Sequence, residues 1–377
     1  MIDRKRRYWK WKPQLIGCFL LLMACSEVID LPVDQEGGRL VIFGRISNST
    51  EGNQVSISRT TASGELPEPI SGARVTIIDE NGLEEILREN VLDPGVYRLQ
   101  GNVLRGQMGT SYRLEVELNG RMYTTELQEM PRVVGEDTID WELIEEDDIS
   151  DQGTRTSRFV VNVYGSTTFN ELPEEFYVRW NIEEVYTTFG MELPRGWFPR
   201  YSPQQCYIIN DLSEQEAFLL DGTKIRDQQL GRQLFSSRLL DRSFNVRHFF
   251  NLIHSAINKE TFEYWSKVNS LTARQGSIFD TPPAEIPGNI TSSDPDERVL
   301  GFFEVIGVDT ARTVLTQNDF PGLVFDDPCE LTFEERRPLF SVPFECVQCI
   351  IDEGFVEDVC VFCSLLPNST LSRPSYF

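Results

Sequence analysis

The sequence predicts a mainly β protein, in which an N-terminal antiparallel β-sandwich precedes a second β-rich domain and a disulfide-rich C-terminal tail. Three observations support this fold class. Short segments of alternating apolar and polar residues recur between turn signals. Only one stretch has a clear helical pattern. Four of the eight cysteines lie within residues 346–363. The expected divisions are residues 1–24, 25–38, 39–131, 132–327 and 328–377.

The first 24 residues have the layout of a secretory signal. Six basic residues among the first twelve precede a short apolar run, Leu15 to Met23, which is too short to span a membrane. The following Leu22-Met23-Ala24-Cys25 resembles the bacterial lipobox, in which the cysteine is lipidated and becomes the mature N-terminus. We therefore expect residues 1–24 to be removed, Cys25 to carry the lipid and residues 25–38 to form a tether. An ordinary cleaved signal with a chance cysteine is the alternative.

The chain is strongly acidic, with 35 basic and 59 acidic residues and a net charge of −24. Without residues 1–24 the counts become 29 basic and 58 acidic residues, a net charge of about −29. Nucleic acids and anionic head groups bind to basic patches, so this charge argues against both as partners. Solubility in a crowded exterior is the simplest role for the acidity.

Residues 39–131 alternate apolar and polar side chains in short segments such as RLVIFGRI and SYRLEVEL. Turn signals separate the segments, among them Asp79-Glu80-Asn81-Gly82 and Asn119-Gly120. This pattern predicts an antiparallel sandwich. The stretch PISGARVTIIDENG, followed by PGVYRL, resembles a transthyretin-like or carboxypeptidase-regulatory-like module, an immunoglobulin-like sandwich. That resemblance implies a spacer or adaptor without catalytic activity.

The second domain opens with an acidic stretch, residues 135–153, that contains Glu145-Glu146-Asp147-Asp148. Such a run predicts a solvated linker or loop, because the ligand spacing of a calcium loop is absent. Further on, FNVRHFFNLIH predicts a strand. Asn258-Lys259-Glu260 then opens the expected helix, which runs to Leu271.

Two aromatic segments are candidate contact surfaces. A proline-interrupted loop follows the second domain's first strands, and such loops on a β-scaffold often bind ligands or partners. Packing at the rim of the sandwich is the alternative for the loop. The C-terminal aromatic pair is expected either to enter a partner's pocket or to pack on its own domain. The candidate contact residues are Arg195, Trp197, Phe198, Tyr201, Tyr376 and Phe377.

Six cysteines follow Cys25: Cys206, Cys329, Cys346, Cys349, Cys360 and Cys363. An even number outside the cytoplasm predicts disulfides. The last four are symmetric about Gly354-Phe355, so a hairpin there would pair Cys346 with Cys363 and Cys349 with Cys360, leaving Cys206 for Cys329. Zinc bound by two C-x-x-C pairs and thioredoxin-like redox chemistry are the alternatives.

The sequence offers little support for catalysis. The two histidines, His248 and His254, are six residues apart on one predicted strand, too far apart for both to bind one metal on a straight strand. They are expected to be solvated or to lie in the core. No nucleophile elbow, phosphate-binding glycine loop or zinc-protease motif occurs. Two isolated carboxylates suffice for a glycosidase, so that class stays open. We expect no enzyme activity, no cofactor and no metal.

Several segments in a fixed order carry a second resemblance. INKETFEYWSKVNSL at residues 257–271 is followed by PAEIPGNI at 283–290, RVLGFFEV at 298–305, and a tail with C-V-F-C that ends in P-S-Y-F. In this order they resemble the Bacteroidota lipoproteins of domain-of-unknown-function family 4249. Members often have Gly-Gly after the final C-x-x-C, where this chain has Pro367-Asn368.

The resemblance implies an outer-membrane lipoprotein, an accessory or substrate-capture subunit of a TonB-dependent receptor. Ser26-Glu27 resembles the signals that send such lipoproteins to the cell surface. Asp137-Thr138-Ile139 and Asp309-Thr310-Ala311 fit the phylum's O-glycosylation pattern. The expected partners are the receptor and, through the lipid, the membrane. A stand-alone glycan- or peptide-binding protein and a structural or envelope-assembly component are the alternatives.

Overall fold

The computed structural model describes residues 38–61, 65–149, 155–213, 217–272, 286–323, 325 and 329–377. The predicted signal peptide and Cys25 lie outside the described residues. Within them, one sheet of eleven strands is backed by two smaller sheets of six and three strands. The predicted fold class, mainly β with few helices and cysteine pairs near the C-terminus, is confirmed.

The first ten strands lie between residues 40 and 129. They are β1 (Leu40–Ser47), β2 (Gln54–Arg59), β3 (Glu68–Pro69), β4 (Arg74–Asp79), β5 (Glu84–Ile86), β6 (Arg88–Asn90), β7 (Asp93–Arg98), β8 (Ser111–Leu118), β9 (Arg121–Thr124) and β10 (Gln128–Glu129).

Longer strands dominate the next part of the chain. They are β11 (Glu136–Ile149), β12 (Arg155–Thr168), β13 (Tyr177–Phe189), β14 (Gln205–Asp211), β15 (Phe218–Asp221), β16 (Gln229–Leu239) and β17 (His248–Ile257); helix α1 (Lys259–Thr272) and strands β18 (Thr291–Ser292) and β19 (Phe303–Leu315) follow.

The remaining elements are short and lie in the cysteine-rich segment. They are α2 (Phe333–Arg336), α3 (Val347–Asp352), α4 (Asp358–Val361) and β20 (Ser369–Thr370).

The eleven-stranded sheet joins the two ends of the described chain. Its order is β20-β14-β13-β17-β19-β1-β2-β7-β6, with β15 paired to β13 and β3 to β2. Strand β1 pairs with β19 in parallel, Gly44 beside Phe303, although these residues are far apart in sequence. The sheet therefore runs without a break across the boundary predicted at residues 131 and 132.

Each smaller sheet closes a separate core against the long sheet. The six-stranded sheet, β18-β9-β8-β4-β5 with β10 on β8, covers β1 and β2 and encloses Ile42, Val55 and Val116. The three-stranded sheet, β11-β12-β16, covers the half that contains β13 and β17. Alternate residues of strands such as β1 and β8 point into these cores, which is the pattern that the sequence predicted.

The acidic run is a strand, so the prediction of a linker or loop at residues 135–153 is wrong for most of that stretch. Strand β11 contains Glu145 to Asp148 and pairs along its length with β12. Two arginines of β12 face the run: Arg158 pairs with Glu146 and Arg155 with Asp147. Cross-strand ion pairs reduce the repulsion between these carboxylates and allow an acidic strand to form.

Helix α1 covers one face of the long sheet, and its predicted position is confirmed. Asn258 precedes it and accepts a hydrogen bond from the backbone N–H of Thr261, as an N-cap does. The ring of Phe262 lies 4.9 Å from the ring of Tyr177 on β13. No helix among the described residues is long and apolar enough to cross a bilayer.

All six cysteines after Cys25 form disulfides, as predicted, but the predicted nested pairing is wrong. The bonds join Cys206 to Cys363, Cys329 to Cys360, and Cys346 to Cys349. Because these six cysteines are oxidised, neither zinc binding nor dithiol redox chemistry describes their sulfurs in this structure.

The pairing differs because Gly354 ends a helix and does not form a hairpin turn. Gly354 has a φ of 71°, and its N–H donates to the carbonyl of Ile351 while that of Phe355 donates to Ile350. This is the Schellman arrangement that terminates α3. Helices on both sides of Gly354 prevent the cysteines from facing each other across two strands.

Candidate functional site

A cleft of about 300 Å³ lies between α1 and residues 287–289. It is the candidate binding site because three of the segments that carry the family resemblance meet there. Three carboxylates and one ammonium group give it a net negative charge. Its lining residues are Glu126, Gln128, Glu260, Glu263, Tyr264, Lys267, Pro287, Gly288, Asn289 and Phe302.

Glycines allow the backbone segments beside the cleft to touch. A Cβ on Gly288 would lie 1.9 Å from the carbonyl oxygen of Gly301, and a Cβ on Gly301 would lie 2.0 Å from that of Ile42. Gly301 also has a φ of 97°, which side-chain-bearing residues rarely adopt. The G-N-I and G-F-F segments are therefore packed directly onto each other and onto β1.

Asn289 fixes the start of β19. Its Nδ2 donates to the carbonyl of Phe303 at 2.8 Å, and its Oδ1 accepts from the N–H of Phe303 at 2.9 Å. The side-chain amide thus pairs with the backbone as a neighbouring strand would. Asn289 therefore has a structural role, which is separate from its place in the lining of the cleft.

Under α1, a buried ion pair joins β13 to β19. Arg179 donates to both carboxylate oxygens of Glu304, at 2.6 and 3.0 Å. Trp265 of α1 donates its Nε1–H to the same carboxylate, and the Arg179 guanidinium lies 4.7 Å from its ring centroid. Burial raises the pKa of Glu304, but the charge and hydrogen bonds of Arg179, the Trp265 hydrogen bond and the charge of Arg45 together lower it overall.

His248 lies in the core beside a second buried carboxylate, Glu184. The His248 Nε2 is 3.0 Å from a Glu184 oxygen, and its Nδ1 is 3.1 Å from Ser243 Oγ. The ring stacks on Phe244 at 4.0 Å between centroids. Arg238 of β16 donates to the same carboxylate at 2.8 Å, so this group joins the long sheet to the three-stranded sheet.

The charge around Glu184 has a clear electrostatic effect. Burial raises the pKa of this carboxyl. The hydrogen bond and charge of His248, the charge of Arg238 and a hydrogen bond from Asn210 outweigh burial and lower the pKa to about 2. Glu184 is therefore ionised throughout the neutral range, and it acts as an acceptor for its three neighbours.

His254 is also in the core, where it contacts Asp137 of β11. The His254 Nδ1 is 3.0 Å from Asp137 Oδ2, which also accepts from Trp180 Nε1 at 2.9 Å. Thr167 donates to the other oxygen. Burial raises the pKa of Asp137, but the contacts from His254, Thr167 and Trp180 lower it overall. Both histidines are thus core residues, one of the two predicted placements.

The predicted contact loop is mostly packed against the C-terminal segment. Phe198 is 1% exposed and lies among residues such as Val342 and Ile350. Trp197 donates its Nε1–H to the carbonyl of Val342 at 3.1 Å, and Tyr201 donates toward the carbonyls of Met191 and Val361. The Phe198 side chain is too buried to contact a ligand, whereas Arg195 is exposed.

The C-terminal pair also packs on the protein itself. The Tyr376 hydroxyl accepts from Asn251 at 3.0 Å, and the Arg312 guanidinium lies 3.7 Å from the tyrosine ring centroid. Phe377 contacts the rings of Phe249 and Tyr207, at 4.5 and 5.0 Å between centroids. The C-terminal pair therefore packs on its own domain, which is one of its two predicted placements.

Sequence reasoning missed the buried carboxylates and the cleft. A charged residue on the apolar face of a strand was the available signal: Glu304 lies in GFFEVIGV and Glu184 in WNIEEVY. The cleft gave no such signal, because its walls come from separate segments. Among the described residues, no three His, Cys, Asp or Glu side chains come together in a way that could hold a metal ion.

Comparison with known proteins identifies a family but no characterised relative. No curated protein and no solved structure matches the chain. Residues 26–312 match the family model described as Domain of unknown function (DUF4249). The match covers most of the chain and stops before the segment that contains five of the six bonded cysteines. The chain therefore belongs to the DUF4249 family.

Proposed function

We propose that this chain is a non-enzymatic, lipid-anchored outer-membrane protein that faces the cell exterior and assists a TonB-dependent receptor, as an accessory or substrate-capture subunit. The observation that carries the proposal is the signal-like N-terminus ending in Cys25, combined with the oxidation of every later cysteine. Disulfides form and persist outside the cytoplasm. Exposed Thr138 and Thr310 are accessible for the glycosylation that their motifs predict.

The architecture suits a subunit that presents surfaces to a neighbour. The buried carboxylates Asp137, Glu184 and Glu304 all have partners within the protein. An eleven-stranded sheet with two backing sheets holds its loops in place, which limits the entropy lost on binding. A lipid anchor would keep the protein near a receptor in the same membrane, so a modest contact would suffice.

Copurification from the native membrane tests this role. The tag belongs in the exposed Asn119-Gly120 turn, because the C-terminus is packed through Phe377. After extraction in mild detergent, we expect a TonB-dependent receptor in stoichiometric amount. A Cys25→Ala variant, which cannot be acylated, should recover much less of it. Recovery of the tagged wild-type protein alone would contradict the accessory role.

The cleft beside α1 favours a second candidate, a stand-alone glycan- or peptide-binding protein. Its three glutamates and Lys267 could bind hydroxyl-rich or cationic ligands. Glycan and peptide arrays test this directly, with a Glu260→Gln/Glu263→Gln variant as the comparison. Binding that this variant loses would support the cleft. Trp197 and Tyr201 are unsuitable for the test because their replacement would disturb the packed C-terminal segment.

A further inference from the structure

Three large apolar side chains are almost fully exposed at one end of the N-terminal sandwich. Val91 is 93%, Leu92 is 94% and Leu66 is 89% exposed. Isolated apolar residues on a surface are ordinary, but these three lie at the tips of neighbouring strands. We call them the apolar tip.

The strand register shows that the apolar tip and the N-terminal end of the described chain share the same end of the sheet. Strands β1, β3 and β7 all pair antiparallel to β2, so they run in the same direction. Leu66 and Leu92 come shortly before the first residues of β3 and β7. Gly38 comes before β1, and its N–H donates to the carbonyl of Thr60 at this end.

Val91 and Leu92 occupy positions where turn residues are usual. They form the two-residue connection between β6 and β7, in which Asn90 pairs with Asp93. Such loops generally contain Gly, Asn or Asp. Neither residue has a positive φ. Val91 and Leu92 therefore do not help the turn to form. Residues that violate a local structural preference in this way occur at functional positions.

The tip is held in place by hydrogen bonds. Asn90 Oδ1 accepts from the N–H of Leu92 at 3.2 Å. The Glu89 carboxylate accepts from the N–H groups of Gly72 and Gly95, at 3.1 and 3.0 Å. Because the connection is already ordered, inserting its side chains into an apolar medium would cost little conformational entropy.

We infer that the apolar tip contacts the lipid bilayer beside the anchor and orients the protein on the membrane. This inference rests on the proposed lipid at Cys25. Cys25 lies thirteen residues before Gly38, so the lipid lies within about 45 Å of this end of the sandwich even for an extended chain. Nearby charges are mixed, because Arg59 pairs with Glu68 across β2 and β3 and Asp93 begins β7. Apolar insertion and not charge would therefore provide the contact.

Photo-crosslinking in proteoliposomes tests the inference. A benzophenone amino acid replaces Leu92 in the full-length, acylated protein, which is reconstituted into vesicles of phosphatidylethanolamine and phosphatidylglycerol. The matched control position is Val103, 57% exposed and in a loop at the opposite end of β1, where Gly106 packs against Ser47. We expect about tenfold more lipid adduct at position 92 than at position 103.

Three other results would overturn the inference, and they separate it from the proposed function. Vesicle-bound protein without lipid adduct at position 92 would refute the tip contact and leave the anchor intact. A crosslink to a second copy of the chain, or to a receptor in native membranes, would assign the tip to a protein partner. Protein that does not float with the vesicles would refute both the anchor and the tip contact.

Discussion

Single buried residues explain how the three-stranded sheet is tied to the long sheet. Glu184 contacts side chains from three other elements, and Asp137 joins β11 to β13 and β17. A buried charge is tolerated only when it is paired and hydrogen-bonded. One substitution at either residue should therefore disturb several strands.

The Glu184 carboxylate should make stability depend on pH. Its pKa is about 2 in the folded protein against 4.5 ordinarily, so its stabilising contribution is fully present above about pH 5 and is lost as the pH falls toward 2. We expect Glu184→Gln to lower the free energy of unfolding by about 3 kcal/mol at pH 7 and by much less at pH 3. Urea unfolding with intact disulfides measures both values.

The exposed Glu145→Gln variant is the control for this experiment, and it should behave like the wild type. An equal loss of stability at both pH values for Glu184→Gln would show that the carboxylate charge does not contribute in this way.

The Arg179–Glu304 pair should show strong coupling between its two members. Either Arg179→Met or Glu304→Met leaves one unpaired buried charge, at a cost of about 3–5 kcal/mol. The double variant should lose less unfolding free energy than the sum of the two single losses, because neither charge remains. A double-mutant cycle by urea unfolding measures this coupling. Additive losses would mean that the two groups do not act as a pair.

At the scale of elements, the parallel contact between β1 and β19 is the least expected feature. Turns and alternation predicted individual strands, and the helix signals at Asn258 predicted α1. Nothing local indicated that β19 would pair with β1, because that pairing depends on the close approach of Gly288, Gly301 and Ile42. A turn-like sequence at Gly354 was equally misleading, since helix C-caps and hairpins both use glycine.

Asn289 is the side chain that should hold this junction. Replacing it with Ala leaves the N–H of Phe303 without its partner, and leaves the Phe303 C=O with only the 3.5 Å contact from Gln128. We expect a loss of about 2 kcal/mol. Hydrogen exchange at Phe303 should become faster, while exchange in β11 and β12 stays unchanged. The exposed Asn102→Ala is the control. Unchanged protection of Phe303 would show that another group holds the start of β19.

At the scale of the whole molecule, the described part of the chain forms one long sheet with two covering sheets and a disulfide-closed C-terminal segment. Sequence reasoning predicted the fold class, the position of α1 and the oxidation of the cysteines. The choice of disulfide partners could not be read locally, because Cys206 lies on β14 and Cys363 lies near β20, which pairs with β14 in the folded chain. The candidate cleft likewise forms from segments that only the folded chain brings together.

The intact mass of the protein purified from its native membrane, without reduction, tests both the lipid anchor at Cys25 and the oxidation of the later cysteines. We expect a chain that begins at Cys25, carries acyl groups and is lighter by six hydrogens than its reduced form, because three disulfides are present. Fragments from mild proteolysis should show Cys206 bonded to Cys363. A chain that retains residues 1–24, or that has six free thiols, would contradict the account.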